Sequence, residues 1–353
     1  MNLKFKTLNK ENEHHYEKFI NGLSHAMFYH SLLFRDFLKK ILSNSTDIYL
    51  LVYENNELIA IVPNFIKHGP LGSVMNSLPF FGSHGGLISK KTLSKTVLKE
   101  IFLKLDSIAI QNNVIASNII ETLFSSNSDN YIYYNSDFKD HRIGQVTMLP
   151  KVIDINNYQS TLFSLFHGKT RNAIRKGNKS GYFVTHNGSS ETFKKLFELH
   201  EANMKSINAI PKPWFIFETI KEVFKYERDY RIYIAKYNNE IISALMIFFY
   251  KNTIEYFCPA THVDHRINQP MSMLINKAMI DSAIDKNSLF WNWGGTWLSQ
   301  KEVYKFKSRW GAKDLHYKFH IKIFKDINVF KAYTKTELLK NYEFFYTIPF
   351  EKI

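Results

Sequence analysis

Residues 49–65 read YLLVYENNELIAIVPNF and residues 233–249 read YIAKYNNEIISALMIFF. Each is a β-rich run, an Asn-Asn-Glu turn and a second β-rich run, which is the signature of a hairpin. Glu57 and Glu240 hold matching places, 183 residues apart (240 minus 57) in a chain of 353. That displacement is about half the chain, so the pair reads as the trace of a duplication. The flanks repeat too. Upstream of the first hairpin residues 29–42 carry apolar side chains at helical spacing, and upstream of the second residues 193–204 and 215–224 do the same. Downstream, residues 94–111 and 270–284 are again helical in pattern. The order helix, hairpin, further strand, helix, strand therefore occurs twice. The expected fold class is mixed α/β, with two tandem domains, each a strongly twisted mixed sheet flanked by helices. A Ser/Asn-rich loop at 125–130 and Pro150 bracket the junction. This gives domains at 1–148 and 149–353, the second with a last strand over 315–324 and a short tail.

With 45% hydrophobic residues, the chain is long enough to bury two cores. No stretch approaches the roughly 20 apolar residues of a membrane helix, so no membrane span and a cytoplasmic location are expected. One cysteine, Cys258, excludes an internal disulfide and a Cys-based zinc site, and the apolar run YFCPA around it predicts burial. The net charge of +14 favours an anionic partner: nucleic acid, anionic lipid or a phosphate-bearing small molecule. Charge alone does not choose among them. Several catalytic classes drop out. Gly168-Lys169-Thr170 resembles the end of a P-loop, but the glycine required five residues earlier is Phe163. There is no G-x-G-x-x-G, G-x-S-x-G or H-E-x-x-H, and His262 with His265 lacks further ligands, so no metal is expected.

Three segments concentrate unusual chemistry. In residues 78–87, LPFFGSHGGL, Gly82, Gly85 and Gly86 surround Ser83 and His84. Glycines admit a ligand close to the backbone and equally serve a plain strand-to-helix turn, so both readings stand. Residues 169–179, KTRNAIRKGNK, read as a helix with Arg171 and Arg175 on one face and Lys176 and Lys179 beside them. Such a cationic stripe suits phosphate or simply faces water. In residues 291–313, WNWGGTWLSQKEVYKFKSRWGAK, a helix over 300–310 sets Tyr304 and Lys307 on one side and Phe306 and Trp310 on another, with Gly311 as its cap. Ahead of these, a strand over 254–260 leads to a helix starting at Pro270, the favoured first position. Free amides there attract phosphate, and Arg266, Asn268 and Gln269 lie where it would sit.

Taken together, these segments resemble the FemAB-like branch of the GNAT acyltransferase superfamily. The family's late motif, aromatic-x-F-K-x-x-aromatic-G, stands here as Tyr304-Lys305-Phe306-Lys307-Ser308-Arg309-Trp310-Gly311. A K-x-R-N-x-I-R-K-x-x-x-x-G pattern is met by Lys169, Arg171, Asn172, Ile174, Arg175, Lys176 and Gly181, and an L-P-x-x-x-x-x-G-G segment runs from Leu78 to Gly86. The resemblance spans about residues 25 to 320 and implies two GNAT-like folds and transfer of an acyl group to an amine. Donors in such proteins are aminoacyl-tRNA, in peptidoglycan bridge-building enzymes, or acyl-coenzyme A, in sugar N-acyltransferases. The bridge builders often carry a long helical arm in the second domain, and no such charged coiled-coil pattern appears between Lys169 and Tyr250. The coenzyme A loop, Q/R-x-x-G-x-G/A, appears only as DHRINQP.

The resemblance thus implies an N-acyltransferase that moves an acyl group from acyl-CoA, its co-substrate, to the amine of a nucleotide-linked amino sugar such as a dTDP sugar, for surface polysaccharide. Alternatives are an aminoacyl-tRNA-dependent ligase acting on a peptidoglycan precursor, with tRNA as partner, and a non-catalytic scaffold binding nucleic acid. The oligomeric state is left open and is compatible with a monomer. His84 and Lys307 are the expected catalytic residues. Phe81, Gly82, Ser83, Gly85, Arg171, Lys176 and Tyr304 are expected to bind substrate, and Arg266, Asn268, Gln269 and Pro270 the donor pyrophosphate. His84 suits a general base because the ordinary histidine pKa, about 6.5, lies near cellular pH. The competing reading makes it a hydrogen-bonding partner of the substrate. Lys307 is expected to hold a phosphate or the developing oxyanion.

Overall fold

The computed structural model describes residues 2–80, 84–124, 128–297 and 299–347, without the side chains of residues 128 and 129. In chain order the first half contains β1 (Leu3–Thr7), α1 (Glu13–Asn21), α2 (Leu32–Ile41), β2 (Ser45–Glu54), β3 (Glu57–Gly69), β4 (Gly72–Asn76), β5 (Ile88–Ser89), α3 (Lys95–Gln111), β6 (Val114–Ile120) and β7 (Phe138–Met148). Then follow α4 (Tyr158–Leu165), α5 (Gly168–Asn178), β8 (Phe183–His186), α6 (Ser190–Lys205), α7 (Trp214–Val223), β9 (Tyr230–Tyr237), β10 (Glu240–Tyr250) and β11 (Thr253–Thr261). The remainder is α8 (Pro270–Lys286), β12 (Phe290–Thr296), α9 (Lys301–Ser308), β13 (Lys313–Ile323) and α10 (Lys335–Asn341).

The chain forms two compact units, Met1–Arg142 together with His316–Ile353, and Ile143–Leu315. In the first, β1, β2, β3 and β4 pair antiparallel in that order, β6 joins parallel to β4, and β13 pairs antiparallel with β6. In the second, β8, β9, β10 and β11 pair antiparallel, β12 joins parallel to β11, and β7 pairs antiparallel with β12. The two patterns are the same. Both are GNAT-like mixed sheets flanked by helices, as the duplicated element order implies.

The hairpins match residue for residue. Asn55 and Asn56 have φ of 49° and 66°, and Asn238 and Asn239 have 49° and 67°. Positive φ at both central residues is a type I′ turn, which fits the strand twist and which asparagine tolerates better than other side chains. Glu57 pairs with Glu54 and Glu240 with Tyr237, each glutamate opening the second strand. The crossover helices are set by local chemistry as well. Ser94 caps α3 by accepting from the Val97 amide, and Pro270 opens α8. In the first unit Leu50, Val62, Ile66 and Met75 pack against Ile101, Phe102 and Leu105 of α3. In the second Leu245, Ile254 and Trp291 pack against Leu274, Ala278 and Met279 of α8. Cys258 is buried in that unit, and burial pushes its thiol above the usual range.

The junction differs from the sequence expectation of 148/149. The chain passes into the second unit within β7 and returns to the first within β13, so each sheet is completed by a strand from beyond its own repeat. Residues 316–323 are therefore part of the first sheet and not of the second domain's end.

Candidate functional site

The second unit has an opening in its sheet. Parallel pairing of β11 with β12 runs from Thr253↔Phe290 to Glu255↔Asn292 and stops, although both strands continue. Where they part, the buried Asn292 side chain donates to Glu255 Oε2 at 2.7 Å. Beyond it β12 bulges against β7, and Gly294 takes φ of 72°, a conformation costly to any residue with a Cβ. In the first unit the same place is bridged. Ser77 donates its amide to Asn118 O at 2.9 Å and accepts from the Ile120 amide at 2.7 Å, so the ladder between β4 and β6 is carried one residue further.

Lys307 on α9 reaches this bulge. Its Nζ donates to Thr296 Oγ1 at 2.8 Å and to the Gly295 and Gly294 carbonyls at 3.1 and 3.4 Å. The side chain is 6% exposed and has neutral oxygens as its hydrogen-bond acceptors. Burial lowers its pKa to about 8, so roughly nine-tenths of it is still cationic at pH 7. Thr296 in turn donates to Gln145 Oε1 at 3.2 Å, and Gln145 Nε2 donates to Ser308 Oγ at 3.0 Å. The ammonium is thus held by a fixed polar frame.

A cleft of about 350 Å³ lies among α5, the start of α8 and α9, lined by Lys169, Asn172, Lys176, Gln269, Phe306 and Arg309 among others. Three cations and no carboxylate line it among the described residues. Gly177 makes this approach possible, since a Cβ there would run into Met273 and the Gln269 carbonyl. On the other flank of Gln269 is a second cleft of about 430 Å³, lined by Asn203, Met204, Tyr256, Thr261, Arg266 and Pro270 among others. The expected residues therefore divide. Lys176 and Gln269 face the cationic cleft, while Arg266 and Pro270 face its neighbour, where Arg266 bonds the Asn203 side chain. Asn268 ends the 3-10 turn Val263–Asn268 and lines neither cleft. Arg171 turns back on α4 and donates to the Phe163 and Phe166 carbonyls at 3.3 and 2.8 Å. Tyr304 donates to Asp314 Oδ2 at 2.7 Å, which raises its pKa. Lys169 and Arg309 are cations in the cleft that the sequence reading did not single out, although both lie inside the motifs it quoted.

His84 belongs to the first unit. It is buried against the rings of Tyr317 and Tyr29, with centroids 4.6 and 6.0 Å away, and is hydrogen-bonded to the Glu121 backbone. Its Nδ1 is buried with no partner among the described residues. Burial lowers its pKa to about 4, so it is a weak base at neutral pH and a good hydrogen-bond acceptor. The glycines beside it are explained by packing: a Cβ on Gly85 would meet Leu78, and one on Gly86 the Ile120 carbonyl and Tyr131. Phe81, Gly82 and Ser83 lie outside the described residues.

The sign of the His84 shift makes a testable statement about acid. Its folded pKa lies below the ordinary value, so between about pH 6.5 and 4 the unfolded chain binds a proton that the fold refuses. Stability should fall over that window by up to about 3 kcal/mol from this residue. His200, also lowered to about 4 by burial, acts in the same direction. Urea midpoints at pH 7 and 5 for the wild type and for His84→Phe, which has no proton to gain, measure the effect. An equal drop in both proteins would refute it.

Among the described residues no helix is long and apolar enough to cross a membrane, and no group of three or more His, Cys, Asp or Glu is placed to hold a metal. Residues 165–290 match the family model for the acetyltransferase (GNAT) domain. No curated protein matches the chain. Among solved structures, FemX superposes with a TM-score of 0.68 at 13% identity, covering 89% of this chain and 96% of FemX. A tandem GNAT protein from the clavulanic acid biosynthesis pathway gives 0.59 at 9% identity, covering 92% of this chain and 99% of that one. A conserved protein of unknown function from Bacteroides thetaiotaomicron VPI-5482 gives 0.58 at 12% identity, covering 92% and 100%. At these identities the likeness is one of fold. The chain therefore has the fold of tandem GNAT proteins, two GNAT-like domains in one polypeptide, with the acetyltransferase match falling within the second.

Proposed function

We propose that the chain is an N-acyltransferase that uses acyl-coenzyme A to acylate the amine of a nucleotide-linked amino sugar. The observation that carries this reading is the acid-free cleft of Lys169, Lys176 and Arg309 among α5, the start of α8 and the end of α9, in the domain whose parallel strands part over Lys307. Its volume suits part of a small anionic donor. In this reading the three cations hold the donor phosphates, and the thioester lies toward the parted strands. The neighbouring cleft, with Asn203, Tyr256 and Arg266, receives the acceptor. The amine lone pair attacks the thioester carbon, the C–S bond breaks, and the proton lost by nitrogen ends on the departing thiolate. Lys307 stabilises the oxyanion formed between these steps.

The test is release of free thiol from a panel of acyl-CoAs in the presence of nucleotide-linked amino sugars, with the amide product identified by mass. Lys176→Glu should raise the KM for the donor roughly fivefold to tenfold while leaving kcat nearly intact, because it removes ground-state attraction only. The effect should shrink at high salt. A donor KM unmoved by this charge reversal would place the donor elsewhere.

One observation favours a second reading, transfer from aminoacyl-tRNA to a peptidoglycan precursor. The turn before α8 offers few free amides for a pyrophosphate. Pro270 has none, the Gln269 amide is tied to Arg266 O at 3.1 Å, and the Ser272 amide to Gln269 O at 3.1 Å. Acyl transfer that requires charged tRNA, is abolished by ribonuclease and releases no thiol from any acyl-CoA would establish this reading over the first.

A further inference from the structure

Two loops of the second unit end in exposed aliphatic side chains. Residues 206–213, between α6 and α7, hold Ile207 and Ile210, which are 63% and 80% exposed. The 3-10 turn Val263–Asn268 holds Val263 and Ile267, 61% and 69% exposed. The loops are neighbours, because Ile207 and Arg266 line the same cleft of about 430 Å³ and Arg266 bonds Asn203 on α6. A single exposed isoleucine is ordinary, but four exposed β-branched tips on two neighbouring loops present apolar surface that water disfavours. Cations stand among them: Arg266 lies between Val263 and Ile267, and Lys205, 66% exposed, precedes Ile207. The acids nearby are Asp264, beside His262, and Glu201, paired with Lys205.

We propose that these two loops dock the second unit on an anionic lipid bilayer, the aliphatic tips entering the interfacial layer and Lys205 and Arg266 meeting the headgroups. The proposal goes beyond acyl transfer and does not depend on which donor is used. The apolar tips and the net charge together select this occupant. The chain carries +14, so a second copy is repelled while an anionic surface is attracted. Protruding tips on separate loops flanked by cations also suit insertion among headgroups better than a flat protein face.

Flotation with vesicles of equal parts phosphatidylglycerol and phosphatidylcholine, against vesicles of phosphatidylcholine alone, tests the proposal on the full chain. Binding is expected on the anionic vesicles. Ile210→Ser/Val263→Ser, two exposed positions that line neither cleft, should weaken it roughly tenfold or more. Because Cys258 is buried, an environment-sensitive dye attached to Ile210→Cys reports insertion by a blue shift, while the same dye at Ile110→Cys on α3 should not move. Wild-type protein that ignores anionic vesicles, a double variant that binds like the wild type, or an unshifted dye at position 210 would each overturn the proposal. So would self-association of the wild type that the double variant abolishes, because the patch would then join two copies of the chain.

Discussion

Lys307→Ala is expected to lower kcat by roughly 10²-fold to 10³-fold at saturating substrates, the effect of removing one preorganised donor to a developing oxyanion. The lysine is not there for stability. It is a buried cation with carbonyl and hydroxyl oxygens for company, and desolvation is the dominant influence on it. Lys307→Met should therefore fold with little loss near neutral pH, even though three hydrogen bonds disappear. The pH dependence separates the roles. The pKa of about 8 lies below the ordinary lysine value of 10.5, so between these limits the unfolded chain holds a proton that the folded one has released. Wild-type stability should thus rise relative to Lys307→Met as pH increases through this window, by up to about 3 kcal/mol. Catalysis runs the other way. An ammonium that must stay charged is lost as pH passes about 8, so kcat should decline there. A kcat that stays level to pH 10, or climbs through pH 8, would rule out the cationic role.

What the sequence made legible was local. The Asn-Asn-Glu turns specify a type I′ hairpin through their own backbone preferences, so both hairpins and their equivalence could be read directly. Apolar periodicity exposed α3, α6 and α8, and Pro270 marked where α8 starts, because both signals act within a turn or two of the helix itself. Lys307 and Trp310 were within reach for the same reason, one on a short helix and the other two residues past its end, inside one motif. What escaped depends on partners far apart in sequence. Nothing in residues 313–323 says that they pair with β6 rather than with a strand of their own repeat. A cationic stripe on α5 can be read from spacing, but not that Arg171 turns inward to the carbonyls ending α4 while Lys169 and Lys176 face a cleft. Arg309 joined that cleft because α9 and α5 meet, with the His167 amide bonded to Arg309 O at 2.9 Å. Likewise, the glycines around His84 suit a ligand loop or a plain turn equally by sequence, and only the fold shows Leu78 against Gly85 and Ile120 and Tyr131 against Gly86.

A long-range dependence of this kind joins Glu121 and His320, 199 residues apart, and breaking it should be costly to the first unit. His320 Nε2 lies 2.8 Å from Glu121 Oε1, both side chains are buried, and the imidazole stacks on Tyr131 with centroids 4.6 Å apart. Glu121 Oε2 accepts the Lys318 amide at 2.9 Å, and the Glu121 backbone holds His84. This carboxylate therefore ties β13 to the end of β6, while the backbone of the same residue holds His84. His320→Leu keeps much of the volume but removes the only side-chain donor to Glu121 among the described residues. A buried carboxylate stripped of its partner costs about 3–5 kcal/mol, which for a chain of this size is on the order of a 10 °C fall in Tm. Loss of packing alone would cost less and would not depend on the charge of residue 121. The charge is what the second variant removes. In Glu121→Gln/His320→Leu the amide oxygen still accepts from Lys318 while no ion is left buried, so at least half of the lost stability should return. A double variant as unstable as His320→Leu would show that stacking on Tyr131, and not the ion's need for a partner, holds the strand in place.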